Sequence, residues 1–323
     1  MIRALTAAVA LGLPAALWPA CAAPRPSFQD RRAADHNRIG AQSFQQGDLT
    51  TAALHFERAL EIARGLADRR QHVDALNNLG IVNETLGQAE PALQFYERSL
   101  ELASSEANLD EDDPLFTRYE LGIYSAALNR SRLLLNLGRL DESEQSLELA
   151  SAAAAELGSR ITRANCQKQR ALLEQKLGRT ASAFDLAREA VRLYEISDDN
   201  AANIAGLADA TLILGRLLLE QGEPIDAIAK FRSANRLARQ VSDRTLMAVS
   251  LELIGQTLVE LGHLEDAELP YRMALDVNRR IPHAARARRN VVALLDVGQR
   301  LERADLIREC QELLAEIDGV KEN

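Results

Sequence analysis

The chain is poor in the residues from which chemistry is most often built. It has three cysteines, three methionines, one tryptophan and only 4% aromatics among 323 residues. Cysteines at 21, 166 and 310 are too few for a disulfide framework. No CxxC or paired Cys/His spacing offers a zinc site, and Cys166 and Cys310 read as small buried hydrophobes. The five histidines, His36, His55, His72, His263 and His283, include no pair four residues apart and no HExxH. GxSxG and the glycine-rich phosphate loop are missing too. No enzyme, cofactor or metal is therefore expected. The densest carboxylates, "DEDDP" at residues 110–114, lack the spaced ligands and turn glycine of a calcium loop and read as a solvated acidic loop. Period-two alternation, the mark of strands, is absent. Positive charge is in the minority, with a formal net charge of −9. That argues against general nucleic-acid binding, which needs a basic face.

One long uncharged apolar run stands at the N-terminus, "MIRALTAAVALGLPAALWPACAAP". It follows a single basic residue, Arg3, contains Pro14 and ends in small residues. It is short for a membrane span and reads as a secretory signal peptide over residues 1–22, followed by a linker over 23–32. Two cleavage patterns fit. "LWPAC" resembles a bacterial lipobox, with Ala20 and Cys21 in place and Trp18 where leucine is usual, which would make Cys21 the lipidated residue. Alternatively, Ala20-Cys21-Ala22 is an ordinary A-x-A site. Either way the mature chain is expected outside the cytoplasm, periplasmic or anchored to the outer membrane and facing the periplasm. Membrane contact would come only through a lipid anchor.

What the sequence does have is repetition. Hydrophobic residues make up 47% and charged residues 26%, the balance of a soluble helical protein rich in alanine and leucine. Glycine pairs seven residues apart recur: Gly40 and Gly47, Gly80 and Gly87, Gly215 and Gly222, Gly255 and Gly262. Five residues after each second glycine stands an alanine (Ala52, Ala92, Ala227, Ala267), and nine after it an aromatic (Phe56, Tyr96, Phe231, Tyr271). Two weaker copies keep small residues and lose the ring: Ser131, Gly138, Ser143 and Leu147, then Ala171, Gly178, Ala183 and Ala187. Helices approach closely only where side chains are small. The first glycine and the alanine are thus expected to face each other across a helix hairpin. The second glycine suits a left-handed cap between the two helices, and the aromatic is expected to fill the wedge between neighbouring hairpins.

This pattern resembles the tetratricopeptide repeat family over nearly all of the chain from about residue 33. The resemblance rests on the Ile39-Gly40, Leu79-Gly80, Leu214-Gly215 and Ile254-Gly255 pairs with the turn glycine, alanine and aromatic. The family's tryptophan position holds His36, Leu76, Thr211 and Leu251 here, and its closing proline is missing. Turn glycines at 47, 87, 138, 178, 222, 262 and 298 lie mostly 40 residues or more apart, beyond the usual 34. In that respect the repeats look like those of kinesin light chains and related adaptors. The resemblance implies an all-α, right-handed superhelical solenoid of about seven antiparallel hairpins over 33–318. An acidic insertion near 104–117 and a capping hairpin at about 282–318 complete it.

In that family the first helix of each hairpin lines the concave face and touches ligand. The matching positions here carry Asn37, Asn77, Asn78, Asn129, Arg132, Asn165, Lys168, Gln169 and Arg216. An asparagine offers both a donor and an acceptor, so a row of them suits the backbone of an extended peptide. A second candidate is basic: "RRIPHAARARRN" at residues 279–290, with Arg286, Arg288 and Arg289 on a terminal helix. Pro270, halfway along a second helix, is expected to bend it by removing a hydrogen bond to the carbonyl of Asp266. The function expected is non-enzymatic. It is a scaffold or assembly factor of the bacterial envelope that binds a protein or peptide, or alternatively a peptide-sensing or signalling adaptor.

Overall fold

A computed structural model describes residues 28–66, 68–106, 116–197, 200–279 and 284–319. Among them are fourteen α-helices and no strand, as the sequence predicts. They form seven consecutive hairpins. The first two are α1 (Phe28–Gln45) with α2 (Leu49–Gly65) and α3 (Arg69–Thr85) with α4 (Ala89–Glu106). Next come α5 (Phe116–Asn136) with α6 (Leu140–Glu156) and α7 (Arg160–Lys176) with α8 (Thr180–Glu195). The last three are α9 (Ala201–Glu220) with α10 (Pro224–Gln240), α11 (Arg244–Glu260) with α12 (Leu264–Arg279), and α13 (Ala284–Arg300) with α14 (Ala304–Gly319). Odd-numbered helices from α1 to α11 also touch the next odd-numbered helix, so they form the inner layer, with the even-numbered helices outside.

Local chemistry sets the helix ends. Asp48, Asp68, Ser159, Asn200 and Asp243 are N-caps whose side chains accept the backbone N–H three residues on. Pro224 opens α10, where no N–H is needed. Gly87, at φ 76°, closes α3 in the left-handed region, with nothing within 4 Å of where a Cβ would stand. Gly47, Gly138, Gly178, Gly222 and Gly262 repeat that turn.

Gly298 does not. It lies inside α13, and the seventh turn falls at Glu302, with φ 54°. The interval from Gly262 is thereby 40 residues, as between Gly47 and Gly87. A glutamate in a left-handed conformation leaves no trace in a glycine register.

The aromatics reach the next hairpin, as expected: Phe56 clusters with Leu76 and Leu79, and Tyr96 with Leu133 and Leu134. Each ring lies on the helical glycine of its own hairpin. A Cβ at Gly80 would stand 2.4 Å from Cε1 of Tyr96, and at Gly40 it would stand 2.7 Å from Phe56. Gly215 and Gly255 meet Phe231 and Tyr271 at 2.6 and 2.9 Å. The nearest atoms to each of these glycines are ring carbons. The two weaker copies follow the same rule in reverse. Without a ring, the glycine position takes a Cβ, and Ser131 hydrogen-bonds Ser143 at 3.0 Å.

The expected boundaries shift slightly. No glycine or proline interrupts residues 28–39, so α1 begins at Phe28, inside the expected linker. The helices around the acidic insertion reach Glu106 and resume at Phe116. Helix α12 continues through Pro270. The signal peptide, Cys21 and the acidic run at 110–114 lie outside the described residues. Cys166 and Cys310 are buried and unbridged, and burial pushes the Cys166 thiol up to about 11. Helix α9 is, among the described residues, the one long and apolar enough to cross a bilayer. It sits in the middle of the stack with 56% of its apolar stretch buried.

Candidate functional site

The inner layer carries most of the polar residues singled out above, but many of them already hold one another. Asn37 donates through Nδ2 to Oε1 of Gln71 at 2.9 Å, joining α1 to α3. Asn129 donates to Oδ1 of Asn77 at 3.2 Å, joining α5 to α3. Arg132 reaches Oε2 of Glu84 at 2.9 Å, and that oxygen also accepts the hydroxyl of Tyr96. Burial, then the Glu84 charge, pushes the Tyr96 phenol well above its ordinary value, so it acts only as a neutral donor. Asn165 donates to the Tyr124 hydroxyl at 2.9 Å and accepts the Tyr194 hydroxyl, tying α5, α7 and α8 together. Lys168 pairs with Asp209 of α9 at 2.8 Å. Each link spans roughly one repeat of sequence, so these side chains act as rungs between neighbouring inner helices.

Gln169 must be moved from the list of surface groups. It is 5% exposed, lies inside the stack and points its amide at Ser131. Two residues keep their side chains free: Asn78, half-buried, and Arg216, exposed. The rungs also leave groups available. Asn77 retains its NH2, and Asn129 retains its carbonyl oxygen. Side by side, that donor and acceptor match the C=O and N–H of one peptide unit.

The inner face carries a groove where α7, α9 and α11 meet. A groove of about 550 Å³ there is lined by Asn165, Lys168, Gly206, Asp209, Arg216 and Asp243, among others. Gly206 belongs here for a steric reason, since a Cβ would stand 2.5 Å from the Tyr194 ring. The groove thus carries the Lys168–Asp209 ion pair, the unpaired cation Arg216 and the N-cap carboxylate of Asp243.

The terminal basic patch is less open than its sequence suggests. Arg288 is held by Asp318 of α14 at 3.0 Å. Arg286 is half-buried, with Nη1 enclosed and unpartnered, and Arg289 is exposed.

One pair escaped the sequence altogether. His36 and His55, 19 residues apart, meet across α1 and α2 with their Nδ1 atoms at 2.9 Å. Burial, then His55, lowers the His36 pKa, which keeps its ring neutral. No cluster of three metal-ligating side chains occurs among the described residues.

With that geometry in hand, comparison is informative. The family model described as tetratricopeptide repeat matches residues 30–105 and 206–280. Over those two stretches the chain matches tetratricopeptide repeats. The matched stretches are the first two hairpins and the fifth and sixth, those with the glycine and ring pairs. The unmatched middle holds the copies built on Ser131 and Ala171.

Among solved structures, the apo form of RapI is 13% identical, with a TM-score of 0.61, covering 90% of this chain and 99% of that one. NprR in complex with its cognate peptide NprX is 13% identical, with a TM-score of 0.59, covering 90% and 79%. A Rap protein complexed with Competence and Sporulation Factor is 14% identical, with a TM-score of 0.57, covering 84% and 76%. At these identities the likeness is one of fold. A comparison with curated proteins found no match.

Proposed function

We propose that this repeat solenoid is a non-catalytic binding module that holds an extended peptide segment, free or from a protein partner, along its inner face. The observation that carries the reading is the Asn77–Asn129 rung. It is joined through one hydrogen bond and still presents one donor and one acceptor, with Asn78 free beside it. The groove bordered by Arg216 and the Lys168–Asp209 pair lies further along the same face. NprR, similar in fold, is known in complex with a peptide, which supports the peptide reading. It favours a peptide-sensing role as the second reading, beside that of a scaffold or assembly factor.

The apolar N-terminal run and Cys21 place this module, in the same proposal, outside the cytoplasm, in the periplasm or on a lipid anchor at the outer membrane. Crosslinking in envelope extracts identifies the partner, and its affinity then tests the face. Asn78→Ala with Asn129→Ala should weaken binding by about 1–3 kcal/mol, the sum of two neutral hydrogen bonds. The effect should change little with salt. Unchanged affinity would remove the inner face as the binding site.

A further inference from the structure

The outer layer holds a groove unlike its neighbours. Between α10 and α12, above α11, lies a hollow of about 780 Å³. It shares Arg239, Leu251 and Met273 with a second hollow of about 390 Å³, so the two are continuous. The α10 wall carries Arg232, Arg236 and Arg239, four and three residues apart and hence on one helix face. Arg244, at the start of α11, extends the row. None of these four arginines has an ion-pair or hydrogen-bond partner among the described residues. The floor is apolar, built from Leu251, Ile254, Leu258 and Met273, with Leu269 64% exposed at the rim. The carboxylates that face the groove are Asp266 and Asp276. Pro270 lines it as well and leaves the carbonyl of Asp266 without its helical N–H donor.

The adjacent outer grooves provide the contrast. Between α8 and α10 a hollow of about 770 Å³ is self-neutralised, because Arg188 pairs with Asp185 at 3.1 Å and Arg192 with Glu189 at 2.6 Å. Between α12 and α14 ion pairs cross directly: Arg272 to Glu309 at 2.6 Å, Arg303 to Glu268 at 2.8 Å and Arg279 to Glu316 at 3.4 Å. Only the middle groove of the three leaves a row of cations unanswered. It does so in a chain whose net charge is −9. Like charges in a row repel, and an anionic partner relieves that repulsion.

We infer that the α10–α12 groove docks an acidic amphipathic helix of a protein partner, on the face opposite the proposed peptide site. Arg232 to Arg239 spans about 10 Å of helix axis, close to two turns. A partner helix with carboxylates at i, i+4 and i+7 presents them at that pitch, while leucines on the adjoining face reach the floor. The apolar floor argues against nucleic acid, which would meet the arginines but leave Leu269 and Met273 uncovered.

The test uses the purified protein and a fluorescein-labelled helical peptide of roughly 14 residues with glutamates at i, i+4 and i+7 and leucines at i+1, i+5 and i+8. Anisotropy should show binding at about 50 mM salt and roughly tenfold weaker binding at about 300 mM. Arg236→Glu with Arg239→Glu should weaken it at least as much, with the circular dichroism spectrum unchanged. Arg188→Glu with Arg192→Glu, in the neighbouring groove, should leave it intact. The inference is overturned if the peptide does not bind at low salt. Equal binding of a peptide with glutamine in place of glutamate would overturn it too. The same holds if the two double variants behave alike, or if a single-stranded oligonucleotide of equal length binds more tightly than the peptide.

Discussion

Substituting Gly80 by alanine isolates the contact on which the repeats are built. The added methyl carbon would lie 2.4 Å from Cε1 of Tyr96, 2.6 Å from Cδ1 and 3.0 Å from Cζ. Carbon atoms rest at about 3.5–4.0 Å, so the ring must retreat by more than an ångström. It has little room to do so. Tyr96 is fully buried, and its hydroxyl is held by Glu84, which Arg132 holds in turn. Overpacking of this kind costs about 1–3 kcal/mol, while glycine to alanine in a helix returns about 1 kcal/mol. The single variant therefore gives an ambiguous net value, and a double-mutant cycle with Tyr96→Leu removes the ambiguity. The propensity gain enters both legs and cancels, and the clash exists only when the ring is present. Gly80→Ala should be more favourable in the Tyr96→Leu background by about 1–3 kcal/mol, the full overpacking energy. The third and fourth hairpins already carry such ring-free combinations, Ser131 with Leu147 and Ala171 with Ala187. Urea unfolding followed by circular dichroism measures the cycle, read as shifts in the transition of the same repeat array. Additive effects of the two substitutions would refute the account of the glycine.

Further expectations follow from single residues. Glu302→Gly should stabilise the last hairpin by about 1 kcal/mol, by relieving a left-handed conformation that glycine adopts freely at the six equivalent turns; a lower melting temperature would contradict it. His36 and His72 both have pKa values lowered mainly by burial. The unfolded chain therefore takes up protons first. The stability that these rings contribute is complete above their unfolded value, about 6.5, and falls as pH drops through the folded values. His36→Asn with His72→Asn should flatten that acid limb, and an unchanged slope between about pH 7 and about pH 5, a window that contains the unfolded value, would show that other groups set it. Labelling with a palmitate analogue should mark the full-length protein and not Cys21→Ser, and equal labelling of both would exclude lipidation at that residue.

The hairpin register was legible because it is local. Glycine, alanine and aromatic recur within sixteen residues of one another, and the contact of ring on glycine stays inside one hairpin. Even so, the sequence did not name the ring as the nearest neighbour of Gly80, since spacing alone cannot tell a ring from a methyl group across a helix pair. The seventh turn was misplaced for a related reason. A visible glycine at 298 outweighed a glutamate whose backbone angle nothing in its side chain announces. The candidate site was legible as a row of positions and not as a set of free groups. Asn129 finds Asn77 52 residues away, and Lys168 finds Asp209 41 residues away. Periodicity does not rank such pairings, because they depend on the rotation between stacked hairpins. The arginines of α10 show the same limit. Their shared face follows from spacing, while their lack of an ion-pair partner among the described residues belongs to the packed structure alone.

The two ends of the solenoid are not fastened alike, and that bears on how the array frays. At the N-terminal end, the Phe56 ring and the small residues around Gly40 close the first hairpin by apolar contact. At the other end, Val291, Leu294, Val297 and Leu306 form an apolar core too, and ion pairs are added to it: Arg272 grips Glu268 and Glu309 while Arg303 grips Glu268 and Asp305. Stacked repeats unravel from their termini, one nearest-neighbour interface at a time. Screening weakens the ion pairs of the last hairpins as salt rises, while excluded salts such as sulfate tighten the apolar cores at both ends. The balance between the two ends is therefore partly a property of the solvent: the ionic clasp adds to the C-terminal end in dilute buffer and loses its share as salt rises.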